Sequence, residues 1–204
     1  MASRMAGEAR RAQILEAAAQ VFAQHGFRGA TTRAIARAAG VAEGTIFRYF
    51  PTKRHLLLAL FEAFVIRPIQ QQLQTLETME PREWLEAFLV ERLTAMRARL
   101  PLMQALYQEI RTDEAVRQMF VEQIARPFLE QVQALLAAAL QRRQRPFHPA
   151  LILWAIWGAL HGVTVFGMEM DPGLAALPPE QIARELTALF LWGLEGHPDE
   201  PARR

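Results

Sequence analysis

Thr45, Phe47, Arg48 and Tyr49 crowd into the stretch GVAEGTIFRYFPTK, residues 40 to 53, which ends on Lys53, the only lysine beside 22 arginines. A hydroxyl, a guanidinium and two aromatic rings at this density offer hydrogen bonds and apolar contact to base edges, which is the chemistry of reading nucleic acid. Thr31 and Thr32, with Arg33 beside them, mark a helix start upstream, where backbone N–H groups can grip phosphate. Lys53 opens another helix and offers a second phosphate clamp. Arg10 and Arg11, at the start of the first helix, read equally well as phosphate contacts or as solvated charge.

These side chains can reach a groove only if the short helix carrying them is fixed from behind. Two helices of about eight and seven residues, joined through Gly40-Val41, have the pattern of a helix-turn-helix. Thr31 caps the first, which runs to Ala39 with Ile35, Ala38 and Ala39 as its inner face. Gly40 permits the tight turn. Val41 and Ile46 fill the angle with Ile35 and Ala39, and Phe50 closes this small core. Upstream, Ile14, Leu15, Ala18, Val21 and Phe22 fall on one helical face, and Gly26 supplies the left-handed residue that ends that helix. A fourth helix starts at Pro51-Thr52-Lys53, with Leu56, Leu57, Leu60, Phe61 and Phe64 at helical spacing.

The rest of the chain also reads as helix. Pro68, Pro81 and Pro101 each suit a first helical turn, which predicts helices over roughly 68–79, 82–99 and 102–111. Asp113 caps a longer helix that Pro127 should kink. Residues 149–169 form another helix, and LPPEQIARELTALFLWGLEG the last. No strand-like alternation appears, so the fold class is all-α.

Composition narrows the function. The 204 residues are 51% hydrophobic, enough for a real core. Cysteine is absent, the one serine is Ser3, and the five histidines lack metal-ligand spacing, so thiolate, serine-nucleophile and metal chemistry find no support. No glycine-rich phosphate loop occurs, and the reading is of a non-enzyme without a cofactor or metal. No secretory signal pattern opens the chain, which reads as cytoplasmic. The lack of Cys and Asn is what a thermophile shows, although Arg-for-Lys usage equally reflects a GC-rich genome. The net charge of +2 hides a split: residues 1–55 carry nine Lys/Arg against three acids, the remainder fourteen against eighteen. A basic module on a mildly acidic body points to nucleic acid as partner.

The run ATTRAIARAAGVAEGTIFRYFPTKRHLL is similar over its length to the signature of the TetR family of bacterial one-component regulators, and residues 9–62 resemble that family's DNA-binding domain. The resemblance implies an N-terminal three-helix helix-turn-helix domain, residues 1–55, joined to a C-terminal helical ligand-binding and dimerisation domain, residues 56–204. It implies a homodimer on a palindromic double-stranded DNA operator. Carried over by position, Thr32, Gly44, Thr45, Phe47, Arg48, Tyr49 and Lys53 are the expected DNA contacts. Two positions depart from the pattern. The family often has Tyr at 47, and Phe47 cannot bond a phosphate, so it is left with apolar contact to a sugar or thymine methyl. The family often has Lys at 43; Glu43 repels phosphate, and either reads a cytosine or faces away. Ala34 replaces the acid that would complete a capping box with Thr31.

In the body, Trp84, Phe88, Arg92 and Met96 follow an i+4 ladder. Met103, Tyr107, Phe120, Ile124 and Phe128 come from the next helices, and Trp157 from the apolar helix beyond. Such residues line an apolar ligand site, or are plain core. Arg92 either snorkels to the surface or pairs with a ligand's carboxylate or phosphate. The stretch ALILWAIWGALHGVTVFGM, 150–168, is long enough for a membrane span. Its Gly158 and Gly162 form a small-xxx-small pair, and it is read as a buried helix that packs with residues 182–194 into a four-helix dimer interface, about 149–169 and 182–194 from each copy, with no membrane role. His161 reads as a satisfied core or interface histidine.

Within the resembling family, regulators sense fatty acyl-CoA, drugs, flavonoids or hormone-like lactones. The aromatic and Met lining favours a long apolar effector, here fatty acyl-CoA, and so a repressor of fatty-acid metabolism. A repressor responsive to drugs or other hydrophobic ligands, and a DNA-binding regulator without an effector, stay open as alternatives.

Overall fold

The computed structural model describes residues 2–76, 78–142 and 147–195, and among these every regular element is helical. In chain order they are α1 (Ala2–Gly29), α2 (Thr32–Ala38), α3 (Glu43–Tyr49), α4 (53–73), α5 (Pro81–Ala98), α6 (Leu100–Thr112), α7 (114–142), α8 (149–170), the short α9 (Pro172–Ala176) and α10 (Pro179–Glu195). The chain forms two compact units that do not follow its order: Met1–Gln70 with Arg99–Glu130, and Gln71–Ala98 with Gln131–Arg204.

In the first unit, α1 begins at Ala2, well ahead of the arginine pair expected to open it. Ile14, Leu15, Ala18, Val21 and Phe22 are buried on its inner face, and Gly26 bends its end at φ +66°. α1 packs against α2, α4 and α6. The Thr31 hydroxyl oxygen accepts the Ala34 N–H at 3.1 Å, the cap expected of it. The inner face of α2 is Ile35, Ala36 and Ala39, whereas Ala38 is exposed. α2 is packed by both α1 and α3, so its buried arc widens to the adjacent positions 35 and 36. Gly40 takes φ +62° and turns the chain into α3.

Pro68 behaves differently from the expectation: it does not start a helix but lies inside one, as Pro127 does in the longer helix expected to hold it. α4 runs from Lys53–Phe61 through a π-helical turn, Glu62–Ile66, into Arg67–Leu73. α7 repeats the device, with Glu114–Phe120, a π-helical turn at Val121–Ala125, and Arg126–Arg142. A proline inside a helix lacks an N–H, and its ring collides with the carbonyl one turn earlier. Here the N–H of Arg67 reaches back to Glu62 O, and that of Arg126 to Val121 O. The five-residue step resets the carbonyl register just ahead of each proline, so the helix continues.

In the second unit, α5 packs against α8 and α10. Leu85, Phe88, Leu89 and Leu93 of α5, and Ile182, Ala183 and Thr187 of α10, are buried. Arg97 Nη2 donates to Leu177 O at 2.9 Å, tying the last turn of α5 to the approach of α10. α8 was expected to be buried in an interface with a second copy; in the single chain 11% of its apolar window is buried. Leu151, Trp154, Phe166 and Met170 stand exposed along it, on the same stripe as Gly158 and Gly162. Its length and composition would suffice to cross a membrane. Leu189 of α10 is exposed as well; side chains beyond Leu191, within the segment expected at the interface, lie outside the described residues.

Candidate nucleic-acid interface

α3 is too short to be stable alone, and two buried side chains hold it. Ile46 and Phe50 are 1% and 3% exposed, and α3 packs against α2, on which Ile35 is buried and which ends on the buried Ala39. Arg11 lies over the Phe50 ring at 5.2 Å. Gln13 Nε2 donates to Ala39 O at 2.7 Å, which fixes the end of α2 to α1. With these residues turned inward, the remaining positions of α3 face out. Phe47 and Arg48 are exposed, Thr45 and Tyr49 half-buried, and a Cβ placed on Gly44 would meet nothing within 4 Å. The Arg48 guanidinium lies 5.4 Å from the centre of the Tyr49 ring, an arrangement that orients a long cation. Thr45, Phe47, Arg48 and Tyr49 thus share one helix with an open backbone at Gly44.

The flanking residues are placed in ways local spacing did not reveal. The Thr32 hydroxyl donates to Glu43 Oε1 at 2.5 Å, so the acid at the first turn of α3 is held across the α2–α3 turn. Thr31 is engaged as a cap, and Arg33 is exposed beside it. Lys53, expected at a phosphate, directs two N–H bonds elsewhere: to Phe27 O at 2.7 Å and Ala30 O at 2.9 Å. Its ammonium also sits 4.4 Å from the Phe27 ring centre. Partial burial holds its pKa below the usual lysine value, with the Glu109 carboxylate opposing that shift. Lys53 therefore neutralises the carbonyl end of α1, where the helix dipole is negative, and keeps one N–H for a further acceptor.

Behind the head, in the same unit, Arg28 faces the buried Glu109 at 3.6 Å, and Arg54 bonds Asp113 at 2.8 Å. Phe61 of α4 packs edge-on against both Tyr107 and Phe120, at 5.8 and 4.7 Å between ring centres. Two of the expected effector residues thus meet on one ring of the helix that leaves the head. Burial raises the Tyr107 pKa far above its ordinary value. Met103 and Phe128 are buried and Ile124 half-buried. Phe61 was missed as a shared partner although its helical spacing with Leu57 and Leu60 was visible.

In the second unit, Trp84 and Phe88 stack at 5.1 Å and 14°, and Trp84 Nε1 donates to Gln72 O at 3.0 Å. Arg92 does not snorkel; it is 5% exposed and paired with Glu91. Met96 is half-buried. Trp157 lies 4.4 Å from His161, whose Nδ1 is 3.2 Å from Trp157 O.

A glycine-turned helix pair with an exposed polar and aromatic edge is a helix-turn-helix DNA-binding head. Residues 14–60 match the family described as bacterial regulatory proteins, tetR family. The head is thus similar, over those residues, to the TetR-family DNA-binding domain. Residues of this region are 47% identical, over 51 residues, to the HTH-type transcriptional repressor AcnR of Corynebacterium diphtheriae, covering 25% of this chain and 27% of that protein. The chain matches about a quarter of the length of such curated relatives. Across nearly the whole chain the fold resembles the transcriptional regulator FadR of Bacillus subtilis, solved in complex with stearoyl-CoA, at 22% identity and TM-score 0.72 over 89% of this chain and 97% of that one. It also resembles the fatty acid degradation regulator FadR of Bacillus halodurans, at 26% identity and TM-score 0.71 over 89% and 98%.

Proposed function

We propose that this chain is a transcriptional repressor that binds a palindromic operator as a homodimer and is released by a long acyl ligand, with fatty acyl-CoA as the effector. The observation that carries the DNA-binding part is the exposed edge of α3, held outward by the burial of Ile46 and Phe50 on its other side. Thr45, Phe47 and Arg48 read base edges, Gly44 lets the backbone approach, and Thr31, Thr32, Arg33, Tyr49 and the remaining N–H of Lys53 position the phosphates. The uncovered apolar stripe of α8 supports dimerisation: a second copy buries Leu151, Trp154 and Phe166, and Gly158 and Gly162 allow close helix approach. Two heads on such a dimer read half-sites one helical turn, about 34–36 Å, apart. The working boundary between head and body falls near residue 55, and the protein acts in the cytoplasm.

Effector release follows from linkage. A ligand that binds better when the heads are misplaced lowers operator affinity by its differential affinity for the two states. α4 and α7 are the levers, because Arg54 and Phe61 of α4 bond or pack against Asp113 and Phe120 at the start of α7. Within the second unit, the stacked and buried Trp84 and Phe88 support an aliphatic ligand, as does the likeness to a regulator solved with stearoyl-CoA. The test is fluorescence anisotropy of an operator duplex with and without palmitoyl-CoA. A fall in affinity of roughly 5- to 150-fold is expected, and an unchanged affinity at saturating ligand removes the effector from the account.

A further inference from the structure

We infer that Arg92 and Thr187 form a buried donor pair for the carbonyl oxygen of an acyl ligand, which deepens the acyl-effector reading above and rests on it. Arg92 is 5% exposed on α5, and Thr187 is 0% exposed on α10, the helix packed along α5. The Arg97–Leu177 bond sets the last turn of α5 beside the approach of α10, so the two helices run antiparallel. Leu177 stands two residues ahead of α10, so Thr187 then lies roughly 12 Å along α10 from Pro179 and Arg92 roughly 8 Å back along α5 from Arg97, at the helical rise of about 1.5 Å per residue. A long helical side chain leans toward its own helix's N-terminus, which carries the Arg92 guanidinium toward the level of Thr187.

Each side chain keeps one donor without an acceptor. Arg92 Nη2 is paired with Glu91, whereas Arg92 Nε and Thr187 Oγ1 are buried without a hydrogen-bond partner. Each is a donor, and burying a donor unpaired is unfavourable. Glu91 already balances the guanidinium charge, so a second carboxylate would bring an unbalanced negative charge inside. A neutral carbonyl oxygen has two lone pairs and no charge, which fits one N–H and one O–H. Phe88, Leu89 and Leu93 are buried beside Arg92 on the same helix, and the Trp84–Phe88 stack lies beyond, so the surroundings of the two donors are apolar. The polar determinant recognised here is the acyl carbonyl, as in a thioester or ester, and not a free carboxylate.

The test is calorimetric titration of the full chain with two matched pairs of probes. Palmitoyl-CoA is set against hexadecyl-CoA, a thioether without the carbonyl, and methyl palmitate against hexadecyl methyl ether. The carbonyl member of each pair should bind more tightly, on the order of tenfold, and Arg92→Met and Thr187→Val should each abolish that preference. The near-isosteric Thr187→Val keeps the test decisive if Arg92→Met fails to fold. Equal affinity for methyl palmitate and its ether overturns the donor pair, as does a preference that survives in a folded variant. A preference for the ester, without binding of either CoA compound, supports the pair and sinks the CoA effector. Silence from all four probes overturns both.

Discussion

Arg54 Nη2 lies 2.8 Å from Asp113 Oδ2, joining the first turn of α4 to the residue that caps α7. The other carboxylate oxygen of Asp113 accepts the N–H groups of Ala115 and Val116 at 2.9 and 3.1 Å. One side chain thus starts the helix that carries Phe120 and ties it to the helix leaving the DNA-binding head.

This arrangement predicts an acid-sensitive contribution to stability. The Arg54 bond, followed by the Val116 N–H, holds the Asp113 carboxyl below the usual carboxylate value. The unfolded chain therefore binds its proton first, and stability rises with pH across that range. The contribution is complete above the ordinary carboxylate pKa of about 4 and is lost as pH falls through the lower folded value. Thermal melts of wild type and Asp113→Asn should differ at pH 6, and the difference should shrink progressively as pH falls below about 4. A difference that ignores pH would mean that the ion pair contributes nothing.

His161 predicts a second pH dependence, of a different kind. Burial lowers its pKa, opposed by its bond to Trp157 O. A base with a depressed folded pKa is protonated more readily when unfolded, so stability falls as pH drops below the free value of about 6.5. The loss grows until the lowered folded pKa is reached. His161→Gln should flatten the Tm profile between pH 7 and 5; an unchanged slope would place the titrating group elsewhere.

Gly158 and Gly162 test the dimer separately from the fold. A Cβ at either position meets nothing within 4 Å in the single chain. Replacing a helical glycine should even favour the helix, by roughly 0.5–1 kcal/mol relative to alanine for a small side chain. Gly162→Leu should therefore keep its helical circular dichroism while sedimentation reports monomer. A wild type that is itself monomeric, or a variant that stays dimeric, contradicts the interface.

Arg48 and Lys53 should separate reading from bracing. Arg48→Ala should cost about 1–3 kcal/mol of specific binding per half-site, with Tm and dimerisation unchanged. Lys53→Met removes two bonds to the end of α1 and should also lower Tm, by about 1 kcal/mol of stability. An unaltered Tm in Lys53→Met would return that lysine to a phosphate role alone.

The contrast between these residues marks what the sequence could express. Caps and turns are local, so Thr31, Gly40 and Asp113 were legible, and helical period exposed the face of α3 through Ile46 and Phe50. The bond from Thr32 to Glu43 depends on how α2 meets α3, and the bonds from Lys53 to Phe27 and Ala30 on where α1 ends. Neither follows from spacing along one helix. Pro68 misled because the local rule gives the cost of a proline and not the π-helical turn that relieves it. Arg92 was visible as a charge on an apolar ladder; its burial is a tertiary fact.

The central claim is best tested by selecting random duplex DNA on the purified protein and titrating the enriched sequence at several salt concentrations. The account predicts a palindrome whose half-sites lie one helical turn apart, and an affinity that falls steeply with salt as phosphate contacts release counterions. Retention of DNA without any enriched sequence would contradict it, and would mean that the exposed edge of α3 does not read bases.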